Sequence, residues 1–408
     1  MSEDTKTFFK DNALQLMLNV EPIFLPNIIE MIKSVVQNAN GYLKIWPKLM
    51  ESIGNILIKH ELDKSQYIYD LISKIIKRYG YESRSDPLFE EIINTMKWIC
   101  QPMTDDSIKL INYLKGTNNY SDQSFITSLK ILNKIMSIFY SLNYQDFPEF
   151  FEDHLKEWID ILNDILLFPN NNSDMSKFQG ISVDLVLKVK AKAFKNVNFY
   201  ITHYYEDVEN YVQPFYNSAW TIMCQCKVND NFSKLMKELL NFFKHAFQMN
   251  RLNNLNQNQL LQIFDNVIYP NMKLTSKEIE EFQDNPVEFL KIEFEEYDMS
   301  SNKYFSINLL QCILEHYPNV NQNIISPKIQ ALFTEYNTNK NNNWNSKLIA
   351  INLLFASCIK TFAQRLGVTE LNPNTSFNID NLINEIFLNE FKNYNSPIIV
   401  RVYSFKFL

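Results

Sequence analysis

The chain has 408 residues, 46% hydrophobic and 21% charged, with a formal net charge of −7. A large core is within reach, global disorder is disfavoured, and the acidic balance points to basic protein partners over nucleic acid. The six glycines, Gly41, Gly54, Gly80, Gly116, Gly180 and Gly367, are too far apart for a G-x-G-x-x-G turn or a P-loop, which disfavours a doubly wound nucleotide fold.

Apolar residues recur at steps of three and four almost from end to end. The chain opens directly in the helical pattern FFKDNALQLML at 8–18. Further helices are predicted near 22–37, 44–59, 64–79, 86–100 and 122–142, then from Phe147 to Leu166. Others follow near 181–205, 208–225, 231–248, 257–268, 304–316, 321–335, 345–364 and 378–392. No run alternates apolar and polar residues as a half-buried strand would. Several helices open on a proline, as in Trp46-Pro47, Asp86-Pro87, Phe147-Pro148, Gln213-Pro214 and Ser326-Pro327. Proline suits the first helical turn, where its missing N–H would have no partner. Asparagine-rich tracts at 170–174, 253–259 and 337–345 mark exposed connections.

The proline-marked starts lie about 40 or about 60 residues apart, an irregular repeat. Helix pairs at roughly 40-residue spacing are the signature of HEAT or armadillo-like repeats, so an all-α fold, an α–α superhelix, is expected. The expectation is a single solenoid segment over 1–408, with a bundle of unrelated helices as the alternative. Solenoids end in a repeat with a polar outer face, and SPIIVRVYSFKFL at 396–408 has none. The chain is therefore read as a fragment of a longer array.

The densest cluster of chemical groups lies in FYSLNYQDFPEFFEDHLKEW, Phe139 to Trp158. On a helix from Phe147, an apolar stripe runs through Phe150, Phe151, Leu155, Trp158 and Ile159. Glu149, Glu152, Asp153, Glu157, Asp160 and Asp164 fall opposite it. Asp146 is expected to cap this helix, with Glu149 completing a capping box. The Glu-x-x-His spacing of a di-iron site is not met, because position 151 is phenylalanine. The cluster reads as the wet side of a helix.

The histidines His60, His154, His203, His245 and His316 form no H-E-x-x-H. Of the five cysteines only Cys224 and Cys226 are close, and one C-x-C is a poor zinc signature. Reduced cysteines suit a cytosolic or nuclear protein. No catalytic residue, metal or cofactor is expected, and no apolar run reaches a membrane-spanning length. A second acidic stretch, EEFQDNPVEFLKIEFEEYD at 280–298, carries Glu280, Glu281, Asp284, Glu288, Glu293, Glu295, Glu296 and Asp298. Structured connections of this kind are common contact sites, and a solvated charged linker is the alternative reading.

The 139–158 segment resembles the CAS-type exportins of the importin-β (karyopherin) superfamily, the export receptors of importin-α. LMLNVEPIFLPNIIEMI at 16–32, WPKLMESI at 46–53 and IIKRYGYESRSDPLFEEI at 75–92 resemble the same family in co-linear order. VIYPNM at 267–272, the 280–298 segment, NWNSKLIAINLL at 343–354 and LGVTELN at 366–372 follow in that order. The D-N-P-x-E pattern of 284–288 is shared across many karyopherins. Where the family pattern is rich in arginine, this chain has Lys291 and Ile292, then Asn302, Lys303 and Tyr304.

The resemblance implies a HEAT-repeat nuclear transport receptor that binds proteins and catalyses nothing, with this chain as an N-terminal-half piece: early repeats over 1–80 and central repeats over 81–408. Its implied partners are Ran-GTP, importin-α and nuclear pore proteins, with no nucleic acid and no membrane insertion. It shuttles between nucleus and cytoplasm. Partner contact is expected on Asp284, Asn285, Pro286, Glu288, Lys291 and Lys303. Another HEAT-repeat scaffold or karyopherin is the alternative.

Overall fold

The structure is a computed structural model. It describes residues 3–37, 41–169, 181–225, 232–252, 254–295, 301–363, 368–372, 375 and 377–407. The chain divides into two compact units, Met1–Thr221 and Ile222–Leu408.

The first unit is two rows of helices. One row stacks Leu25–Gln37, Leu62–Ile75, Gln123–Asn143 and Ile181–His203 side by side. The other stacks Leu49–Leu57, Asp86–Gly116 and Leu155–Leu167. From Leu49–Leu57 onward each of these helices packs against neighbours in both rows, because a single helical pair cannot cover its own apolar face. The seam at the third pair is aromatic. Phe139 stacks on Trp158 at 4.4 Å and meets Phe151 edge-on at 4.9 Å, and all three are fully buried.

Polar groups are buried where they are paired. Glu91, 2% exposed, accepts hydrogen bonds from Arg78 and from Tyr79 Oη, the latter at 2.9 Å. It also accepts from Leu43 N at 3.3 Å, tying the Tyr42–Ile45 turn to the long helix. Asp106 accepts from Tyr69 Oη at 2.8 Å and pairs with His60 Nδ1 at 2.5 Å.

The second unit stacks Ser233–Gln248, Asn302–His316, Trp344–Cys358 and Ile398–Phe407, with Ser326–Thr338 packed on Trp344–Cys358. The helix Trp344–Cys358 is buried on every side from Ser346 to Cys358. At its edge Glu390, 8% exposed, accepts from Tyr336 Oη at 2.6 Å and from Ser396 Oγ, with Lys347 Nζ at 3.6 Å.

Four local expectations are corrected. The helix expected over 86–100 runs on to Gly116 through Pro102. Proline removes one hydrogen bond there, and packing on both rows holds the rest. The helix expected from Phe147 breaks at His154 into Glu149–Asp153 and Leu155–Leu167. Its capping box is absent: Pro148 stands at the cap position, and Asp146 instead accepts from Phe147 N and Arg84. The helix expected over 345–364 stops at Cys358, and Ile359–Ala363 pairs antiparallel with Val368–Leu371. Ile359, Thr361 and Phe362 have branched or aromatic side chains that suit a strand.

Two helices widen just before a proline. Tyr269 N bonds Phe264 O and Ser326 N bonds Asn321 O, five residues back, immediately ahead of Pro270 and Pro327. The proline ring crowds the carbonyl four residues earlier, and a wider turn relieves it. Asparagine tracts supply caps where they are described. Asn256 and Gln259 form a capping box at 3.0 Å in both directions. The 170–174 tract lies outside the described residues. No described helix is long and apolar enough to cross a membrane.

Candidate partner-binding surface

The D-N-P-x-E segment folds as two short helices, Ser276–Asp284 and Pro286–Glu295, joined at Asn285. Local sequence accounts for both. Thr275 Oγ1 accepts from Glu278 N at 3.2 Å, and Glu278 Oε2 accepts from Thr275 N at 2.6 Å, a complete capping box. Asn285 leaves helical geometry at φ −145 and ψ 80, and its Oδ1 accepts from Glu288 N at 3.2 Å. Pro286 then opens the next helix where no N–H is needed.

The pair meets through Phe282 and Phe289, edge-on at 5.6 Å. Phe289 is buried, whereas no residue of Ser276–Asp284 is. Seven carboxylates and two lysines lie between Thr275 and Glu295. Lys277 pairs with Glu281 at 3.2 Å on the same exposed helix.

Five of the six expected contact residues come together here. Asp284, Asn285, Pro286, Glu288 and Lys291 are exposed around one bend. Lys303 is not with them. It is 8% exposed, and its ammonium donates to Tyr403 Oη at 3.4 Å, 5.8 Å from that ring's centre. Nothing in the local sequence announces this, since Tyr403 lies a hundred residues further on. Glu296 and Asp298 lie outside the described residues.

The 149–164 carboxylates lie on the helices Glu149–Asp153 and Leu155–Leu167. Glu149, Glu152, Asp153 and Asp160 are exposed. His154 stacks on Phe150 at 4.3 Å, and its Nδ1 lies 2.8 Å from Phe150 O. Asp164 pairs with Lys115 at 2.6 Å. Between this helix and Asp86–Gly116 runs an open cleft of about 530 Å³, with Asp153, Glu157 and Asp160 on one wall. Among the described residues no three histidines, cysteines or carboxylates gather in a way that could hold a metal. Cys100, Cys312 and Cys358 are buried thiols, and burial pushes that of Cys312 up to about 11. Cys226 lies outside the described residues.

The sequence pattern of the Cse1 family matches residues 75–408. The chain belongs to the Cse1 family. It is 27% identical over 375 residues to the importin-alpha re-exporter of Schizosaccharomyces pombe, covering 91% of this chain and 38% of that protein. It is 25% identical over 400 residues to exportin-2 of Danio rerio, covering 95% and 39%. The chain thus spans about two fifths of the length of these relatives.

Among solved structures it superposes on the exportin Cse1 in its cargo-free, cytoplasmic state with a TM-score of 0.83 and 21% identity. That match covers all of this chain and 44% of the other. Lph2, a bidirectional nuclear transport receptor of S. cerevisiae, gives 0.60 at 13% identity. The Cse1 match places this chain in the all-α, α–α superhelix class of HEAT-type repeats. The CAS-type exportin resemblance drawn from 139–158 and 280–298 stands, on a partial chain.

Proposed function

We propose that this Cse1-family chain is part of an export receptor that carries importin-α out of the nucleus in a Ran-GTP-dependent complex. The observation that carries the reading is the family match over 75–408, supported by the name of the S. pombe relative. The receptor works by binding, without catalysis, and shuttles between nucleus and cytoplasm by engaging nuclear pore proteins. Ran-GTP and importin-α raise each other's affinity because both favour one arrangement of the repeats. We place a partner contact on the exposed bend of Asp284, Asn285, Pro286, Glu288 and Lys291. Its carboxylates suit a basic partner surface, and its lightly packed first helix can adjust to one. Lys303, buried against Tyr403, is left out of that contact.

The test is capture of importin-α on the immobilised chain with Ran-GTP or Ran-GDP. A complex of all three proteins with Ran-GTP, and none with Ran-GDP, is expected. Equal capture with either nucleotide would sink the reading.

A further inference from the structure

The two rows of the first unit differ in charge. The row holding Leu155–Leu167 turns carboxylates to solvent. The row holding Gln123–Asn143 and Ile181–His203 turns lysines. On the first of these two helices Lys130 and Lys134 stand one turn apart among the solvent-facing positions. On the second, Lys188, Lys192 and Lys195 follow at steps of four and three, the spacing of one helical face.

The two stripes are joined. Lys192 reaches across to donate to Asn133 O at 2.8 Å and to Ser137 Oγ at 2.6 Å. Lys195 sits 3.8 Å from the centre of the Tyr140 ring. Lys134 pairs with Asp70 of the next helix in the row. Among the described residues no ion pair holds Lys130 or Lys188.

We propose that the strip of Lys130, Lys134, Lys188, Lys192 and Lys195 is a docking surface for an acidic segment of a partner protein. The proposal goes beyond the export reading and does not rest on it. Three observations carry it. Like charges one turn apart repel, so the strip gains from an incoming row of carboxylates. Lys192 and Lys195 are already held in place, which lowers the ordering cost of binding. The aromatic rings nearby are occupied: Lys195 covers Tyr140, and Tyr144 is stacked on Phe199 at 5.8 Å. Nucleic-acid surfaces pair basic residues with open rings for base stacking, and each of these rings already carries a partner. The acidic row of the same unit also repels a long polyphosphate chain. A carboxylate-bearing polypeptide fits both facts.

The probe is a fluorescein-labelled peptide of about 20 alternating Glu and Asp residues, titrated with the full chain at about 50 and 200 mM salt. The strip variant is Lys130→Glu, Lys188→Glu and Lys195→Glu together. The control reverses Lys44, Lys97 and Lys109, exposed lysines elsewhere in the unit, so that net charge changes equally. A neutral strip variant, with glutamine at the same three positions, guards against loss of folding, which circular dichroism checks.

The strip variants are expected to weaken binding by about tenfold or more, the control by no more than about twofold, and salt to weaken the unaltered chain. Equal losses in strip and control variants would overturn the proposal, as would no binding at the lower salt. Tighter binding of single-stranded RNA of equal length, lost with the same lysines, would overturn the choice of an acidic protein.

Discussion

Gly54→Ala is expected to loosen the first unit. Gly54 is buried within Leu49–Leu57, where that helix crosses Asp86–Gly116. A Cβ there would stand 2.7 Å from Trp98 O, 3.2 Å from Trp98 Cβ and 3.4 Å from Trp98 C. Trp98 O lies four residues before Pro102, which has no N–H to give it. The glycine thus lets one helix sit directly on a carbonyl that lacks its usual helical donor. Two effects compete. Alanine gains about 1 kcal/mol over glycine in a helix interior. Overpacking a well-filled core costs about 1–3 kcal/mol.

The closest atom here is backbone, which cannot swing aside as a side chain would, so the cost falls in the upper part of that range. A net loss of about 1–2 kcal/mol follows, or a melting temperature lower by about 2–8 °C for a unit of this size. Gly116→Ala is the control, since nothing lies within 4 Å of its Cβ position. It is expected to hold or raise the melting temperature. Differential scanning calorimetry on both variants decides. A Gly54→Ala chain as stable as the unaltered one would refute the close-packing argument.

Glu91→Ala strips the buried partner from Arg78 and Tyr79, and is expected to cost about 3–5 kcal/mol in urea unfolding. For Glu390, burial pushes the carboxyl up, but hydrogen bonds from Ser396 and Tyr336 and the charges of Lys347 and Lys340 outweigh it and hold it below the usual glutamate value. A depressed folded value means its stabilisation is present above the ordinary glutamate range and lost as pH falls through the folded value. Melting temperature followed from neutral to acid pH should therefore fall less steeply in Glu390→Gln; parallel curves would count against the assignment. Asn285→Ala removes the cap on Glu288 N and is expected to cost about 1 kcal/mol locally, read as faster amide exchange over 287–290 with the melting temperature unchanged. Asp284→Lys with Glu288→Lys, both exposed, should leave folding intact and weaken the proposed partner complex.

Much of the fold is visible in the apolar spacing, because long amphipathic helices carry their own period. The stripe from Phe150 to Leu166 is buried almost as it reads. What escaped is non-local or depends on one residue's geometry. The break at His154 interrupts a stripe that still points one way, so periodicity alone cannot see it. The strand Ile359–Ala363 follows a fully buried helix without a polar break, and its partner strand lies beyond it in sequence. Lys303 reads as a surface charge because lysine usually is one, and its burial depends on Tyr403. The lysine strip is likewise assembled from two helices about sixty residues apart, each of which alone is an ordinary wet face. The 280–298 stretch reads in sequence as an acidic connection, whereas Thr275 and Asn285 cap two short helices there.

The export reading is tested most directly by linkage. Affinity of the chain for importin-α is measured with and without Ran-GTP, and affinity for Ran-GTP with and without importin-α. The account predicts one shared enhancement factor, between about 5-fold and 150-fold, in both titrations, and none with Ran-GDP. Independent binding of the two partners, or the same enhancement with Ran-GDP, would contradict it.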